Sequence, residues 1–113
     1  MASRVRIPHW LEQVRHSLDR DFREALTTAY LARTVGVHPV YLAQVFRRVY
    51  GCTISEYLCQ RRLEYACREL RHTRRSIAEI AQTAGFYDQG HFSRTFKRAF
   101  GLTPREYRQR YGP

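Results

Sequence analysis

Within PVYLAQVFRRVY, Gln44 stands three residues before Arg47, and within QGHFSRTFKRAF, Arg94 stands three before Lys97. At that spacing the side chains share one side of a helix. Amide and guanidinium heads offer paired hydrogen bonds in a plane, which suits planar acceptor edges and phosphate oxygens. This is recognition chemistry. The usual catalytic constellations are missing: His9, His16, His38, His72 and His91 are scattered, with no H-E-x-x-H and no carboxylate at catalytic spacing. Neither a glycine-rich phosphate loop nor a G-x-S-x-G elbow appears. Cys52, Cys59 and Cys67 are odd in number and lack C-x-x-C spacing, so they read as reduced core residues, with a thiol sensor as the alternative. No catalytic, metal or cofactor site is expected.

The elements that must carry these groups read as helices throughout, because helical apolar spacing and helix-start signals recur without strand-like alternation. Trp10, Leu11, Val14 and Leu18 form one amphipathic face. Leu26, Leu31 and Ala32 begin a short second helix that must stop near Gly36. His38-Pro39 opens a third, with Leu42, Val45, Phe46 and Val49 inward and Gly51 at its end. Thr53-x-x-Glu56 is a capping box launching a longer helix, on which Cys59, Leu63, Ala66, Cys67 and Leu70 share a side. Ser76-x-x-Glu79 is a second capping box, and Ile77, Ile80 and Ala81 lead to Gly85. Asp88 caps the helix that buries Phe92, Phe96 and Ala99 and ends at Gly101; Thr103-Pro104-Arg105-Glu106 starts a last one. The TRRS segment between the fourth and fifth helices is open to two readings, a phosphate clamp or a solvated turn.

The chain says much the same thing twice. Ala32 matches Ala81 and Gly36 matches Gly85; then, after one inserted residue, Leu42 matches Phe92, Phe46 matches Phe96, Gly51 matches Gly101 and Tyr57 matches Tyr107. Each copy is a short helix, a glycine turn and a longer helix, the plan of a helix-turn-helix. The fold class is therefore all-α, with about seven helices: two helix-turn-helix subdomains, residues 1–54 and 72–113, joined by a linker helix at 55–71. Opposite the buried faces lie Val40, Ala43, Gln44, Arg47 and Arg48 in the first copy and Gln89, Gly90, His91, Ser93, Arg94, Lys97 and Arg98 in the second. Small residues near a helix N-terminus, with Gln or Arg following, suit close approach to base edges in a major groove.

Composition favours the same partner. The 113 residues carry 20 Lys and Arg against 10 Asp and Glu, a formal charge of +10, and Lys97 is the single lysine. A pI near 10.3 in so small a chain points to a polyanion, with nucleic acid ahead of a membrane surface. No apolar run approaches the roughly 18 residues of a spanning helix, and MASRVRIPHW has no apolar h-region of a signal peptide. The chain reads as cytoplasmic.

The segment SIAEIAQTAGFYDQGHFSRTFKRAFGLTPREYR, with YLCQRRLEYACREL upstream of it, resembles the DNA-binding domain of the AraC/XylS family of bacterial transcription regulators. Ile80-Ala81, Gly85-Phe86, Phe92-Ser93-Arg94, Phe96-Lys97, Gly101 and Thr103-Pro104 to Tyr107-Arg108 stand at the family's spacing. The resemblance covers about Leu26 to Arg108 and implies recognition helices near residues 39–50 and 89–100 in successive major-groove segments of double-stranded DNA. It implies base reading by Val40, Ala43, Gln44, Gln89, Gly90, His91 and Arg94. Arg47 and Lys97 are then phosphate contacts, with Arg48, Ser93, Arg98 and the helix start at Ser76 beside them. Val40 and Ala43 have no side-chain donor and are left with thymine methyl groups, so readout by the first helix rests on Gln44.

The resemblance further implies activation through RNA polymerase, with this chain a monomer and any dimerisation supplied by an effector domain outside it. Two alternatives remain at this point: a non-specific nucleic-acid-binding protein, and the detached DNA-binding half of a larger effector-responsive regulator.

Overall fold

The computed structural model describes residues 6–113, so residues 1–5 of the expected first subdomain lie outside the described residues. Among the described residues there are seven helices and no strands: α1 (His9–Asp21), α2 (Thr28–Val35), α3 (Pro39–Tyr50), α4 (Ile54–His72), α5 (Ile77–Ala84), α6 (Gln89–Phe100) and α7 (Pro104–Tyr111). The chain divides into two compact units, Met1–Cys59 and Gln60–Pro113, with the boundary inside α4.

In the first unit α1 packs on α2 and α2 on α3. Leu11, Val14, Leu18, Leu31, Ala32, Leu42 and Phe46 are fully or almost fully withdrawn from solvent, joined by Phe22, Val45, Ile54 and Leu58. Each such aliphatic or aromatic side chain contributes about 1.5–3 kcal/mol by leaving water, which offsets the entropy of ordering the chain. Phe46 lies 4.7 Å from the Tyr50 ring and 5.7 Å from Tyr57 in an edge contact. The second unit repeats the arrangement with larger rings: Phe92 and Phe96 are 0% exposed, and Phe96 meets Phe92, Phe100 and Tyr107 at 5.7, 4.7 and 5.3 Å.

Both short-to-long turns are built the same way. Gly36 and Gly85 take φ of 74° and 97°, a left-handed conformation that costs other residues a steric penalty. The next amides, Val37 and Phe86, donate back to Ala32 and Ala81, each at 3.1 Å. These closures satisfy carbonyls that the helix ends would leave bare.

Several sequence expectations need correction. Leu26 precedes α2, because Thr27 caps that helix by accepting from the Tyr30 amide at 3.0 Å. Ala99 is exposed: the aromatic rings of Phe92 and Phe96 fill the seam, so the last turn of α6 has nothing left to cover. Val49, Trp10 and the three cysteines are half-buried rather than core, and the Trp10 ring leans on Tyr41 at 5.8 Å. Ser76 does cap α5, but its hydroxyl also donates to Glu79 Oε1 at 3.0 Å, in place of the reciprocal backbone bond of a full box.

The TRRS turn is tied down from inside. Arg75 donates to Glu69 at 2.8 Å, to Thr83 at 2.8 Å and to the Tyr65 hydroxyl at 3.3 Å. Its guanidinium is therefore spent within the protein, and only Arg74 of the pair stands exposed.

The capping boxes at Thr53 and Thr103 are complete. The Thr53 and Thr103 amides donate to Glu56 and Glu106 at 2.8 and 2.9 Å, and the returning bonds measure 3.0 and 3.1 Å. Accepting those backbone N–H groups holds both carboxyls below the ordinary 4.5. A lowered pKa supplies stability that is whole above the ordinary value and disappears as pH falls through the folded one. The double variant Glu56→Gln, Glu106→Gln should thus melt below the parent at pH 7, and the gap in Tm should close as the buffer drops below 4.5. A gap that stays constant across that range would contradict this role for the carboxylates.

Candidate nucleic-acid interface

The candidate residues, Ser76 at the start of α5 apart, lie on the outward faces of α3 and α6. Each helix is fixed on its inner side by buried side chains, Leu42, Val45 and Phe46 for α3 and Phe92 and Phe96 for α6. Turning those inward leaves Val40, Ala43, Gln44, Arg47 and Arg48 exposed on α3, and Gln89, Gly90, His91, Arg94, Lys97 and Arg98 exposed on α6. Ser93 is half-buried, at the flank of that face. Ser76 is exposed, yet its hydroxyl is committed to Glu79, so at this helix start the backbone rather than the side chain is free to meet an anion.

The N-terminal turns of the two helices differ. His38 Nδ1 accepts the Val40 amide at 3.1 Å, and Pro39 follows at the first helical position, where a missing N–H is no loss. Asp88 caps α6 more tightly, accepting the His91 amide at 2.6 Å. The His91 ring rests on Phe86 at 5.7 Å, which restrains it at the rim of the face. A Cβ placed on Gly90 would come within 3.1 Å of an Arg94 guanidinium nitrogen. Glycine here leaves room for the Arg94 head to lie back along its helix toward the N-terminal turn.

Tyr87 escaped the sequence reading. It is the extra residue of the second copy, lying between the Gly85 turn and the Asp88 cap, and its side chain is 92% exposed. An inserted aromatic beside the start of α6 was visible in the repeat alignment; its exposure was not, since tyrosine is as often buried.

Alongside α3 a groove of about 280 Å³ is lined by Thr28, Ala43, Gln44, Arg47, Thr53, Ile54 and Ser55. It places the Gln44 amide, the Arg47 guanidinium and the first turn of α4 around one opening. In that turn the Glu56 amide is satisfied by Thr53, whereas those of Ile54 and Ser55 have no acceptor of their own helix to reach. Donors converge here, from a charged side chain and from a helix N-terminus, which is what an oxyanion of a polymer backbone requires.

A family model for a helix-turn-helix domain matches residues 31–110, spanning both units. The chain belongs to the AraC-type helix-turn-helix family of transcription regulators. It is 41% identical over 93 residues to the regulatory protein SoxS of Salmonella typhimurium, covering 82% of this chain and 87% of that one. The C-terminal domain of AraT, a response regulator from Geobacillus stearothermophilus, superposes with a TM-score of 0.90 at 30% identity, over 96% of this chain and 91% of the other. The DNA-binding domain of the global transcriptional factor AdpA, solved in complex with a target DNA, gives a TM-score of 0.85 at 25% identity, over 89% and 91%. Membership in this AraC-type family agrees with the all-α, doubled helix-turn-helix reading and with a DNA-binding regulatory task.

Proposed function

We propose that this member of the AraC-type family is a sequence-specific DNA-binding transcription regulator that lays α3 and α6 into successive major-groove segments of one duplex. The observation that carries this reading is the pair of outward faces, each an exposed strip with cations toward its C-terminal half, opposite a buried apolar one. Gln44, Gln89 and Arg94 read base edges by hydrogen bonds, His91 does so at the rim, and Gly90 allows close approach. Val40 and Ala43 meet apolar groups such as thymine methyls. Arg47, Arg48, Lys97 and Arg98, with Ser93 and the helix start at Ser76, hold the phosphate backbone. Tyr87 joins them as a hydroxyl donor at the entry to α6. The chain acts in the cytoplasm as a monomer, and contact with RNA polymerase converts binding into activation.

Two substitutions separate reading from holding. Arg94→Ala should weaken the preferred duplex by about 1–3 kcal/mol and relax preference at one base position. Arg47→Ala should weaken all duplexes alike and shrink the salt slope of log K by about one. Binding isotherms on matched and scrambled duplexes at several salt concentrations distinguish them. Equal loss on every duplex for Arg94→Ala would remove it from the base-reading set, and a parent protein that binds matched and scrambled duplexes equally would make this a non-specific binder.

A further inference from the structure

The two units differ at one point where their plans coincide. The buried trio Leu11, Val14 and Leu18 of α1 recurs with the same spacing as Leu63, Ala66 and Leu70 of α4. In that register Arg15 corresponds to Cys67 and Asp19 to Arg71, while Tyr50 and Tyr57 correspond to Phe100 and Tyr107. In the first unit the Tyr57 hydroxyl donates to one oxygen of Asp19 at 2.6 Å and Arg15 donates to the other at 3.2 Å. A carboxylate thus lies between a phenol and a guanidinium.

The second unit keeps the phenol and a guanidinium and has lost the carboxylate. Arg71 is exposed and, among the described residues, has no carboxylate partner; Glu64, two turns earlier on α4, is held by Arg61 at 2.9 Å. Burial, helped by the neighbouring Cys67 thiol, raises the Tyr107 hydroxyl above its ordinary pKa, against the opposing pull of the nearby Arg71 charge. The phenol is therefore protonated, and able to donate, throughout the physiological range. Beside the pair opens a cavity of about 370 Å³ lined by Arg71, Phe100, Leu102, Tyr107 and Tyr111. It is an open groove walled by three aromatic rings, a leucine and the Arg71 side chain, with Phe100 and Tyr111 themselves about half exposed. Cavities of about 300 Å³ and above take small organic ligands when apolar walls surround a few convergent polar groups.

We propose that this cavity binds a small apolar carboxylate, whose oxygens accept from Arg71 and from the Tyr107 hydroxyl and whose ring or short chain lies against Phe100, Leu102 and Tyr111. The bound acid supplies the group that Asp19 supplies in the first unit. The proposal rests on the comparison of the two units and stands apart from the DNA-reading faces.

Titration of the whole chain with phenylacetate, followed by amide and side-chain NMR shifts, tests it. Saturable shifts should be confined to the neighbourhood of Arg71, Phe100, Leu102, Tyr107 and Tyr111. Phenylacetamide, which lacks the charge, and acetate, which lacks the ring, should each bind about tenfold more weakly or worse. Arg71→Gln should weaken phenylacetate to a similar degree, whereas the exposed Arg33→Gln in the first unit should leave it unchanged. Because phenylacetamide and acetate are tested on the unaltered protein, the comparison holds even where a variant folds poorly. Shifts spread over arginines generally, no saturation, or equal binding of the acid and its amide would overturn the proposal.

Discussion

Phe96→Ala is expected to lower the free energy of unfolding by about 3–5 kcal/mol, the cost of removing a buried ring and leaving a cavity that its neighbours fill only in part. Phe96 is 0% exposed and lies among Phe92, Phe100 and Tyr107, so three rings lose a partner at once. Domains of this size are stable by only about 5–15 kcal/mol in all. The variant should therefore lose a large share of that margin, and α6 should be held less firmly in its seat. Urea unfolding followed by tyrosine fluorescence measures the loss. A change under about 1 kcal/mol would mean that the ring is not the keystone its burial implies.

The second large effect concerns a charge. Arg108 donates to the carbonyls of Leu70, Glu69, Thr73 and Arg75, at the end of α4 and in the turn that follows. Its guanidinium caps the C-terminus of one helix from another, where a positive charge also suits the helix dipole. Arg108→Ala strips these bonds together, and a loss of about 2–3 kcal/mol is expected. Arg108→Lys should recover only part of it, because an ammonium group is a compact point charge and cannot span carbonyls lying in several directions. Hydrogen exchange should show the change first in the last turn of α4 and the first turn of α5. Full recovery by lysine would mean that charge alone, without the forked geometry, secures this corner.

The two effects were not equally legible from the chain alone. Phe96 was, because Phe92 and Phe96 stand four apart between Asp88 and Gly101 and match Leu42 and Phe46 in the first copy. Local spacing and cap chemistry are enough to place such a residue inward. Arg108 was visible only as a member of a family motif, since its carbonyl partners lie more than thirty residues away in sequence and no local pattern encodes them. The same limit applies to Arg75: a basic turn looks solvated until Glu69 and Thr83 are brought to it. Ala99 illustrates the converse error, in which helical periodicity was extended one turn past the point where the rings had already filled the seam.

The outward faces were more legible than the corners. Once the inward residues of α3 and α6 are known, the helical period dictates which side chains point out, and Gln44, Arg47, Arg94 and Lys97 follow without further information. What the period does not supply is occupancy. Ser76 points outward yet spends its hydroxyl on Glu79, and Arg94 lies back over Gly90. Tyr87 belongs to neither helix period, so its exposure became evident only when the turn was seen whole.

Selection of tight-binding duplexes from a random pool, followed by footprinting of the winners, tests the central claim most directly. A chain that reads DNA with both α3 and α6 should enrich one asymmetric motif and protect two patches about one helical turn, roughly 10 base pairs, apart. Arg94→Ala should relax preference at one base position within one patch, and Gln44→Ala at one within the other. A pool that emerges unenriched, or a single patch blind to both substitutions, would contradict the account.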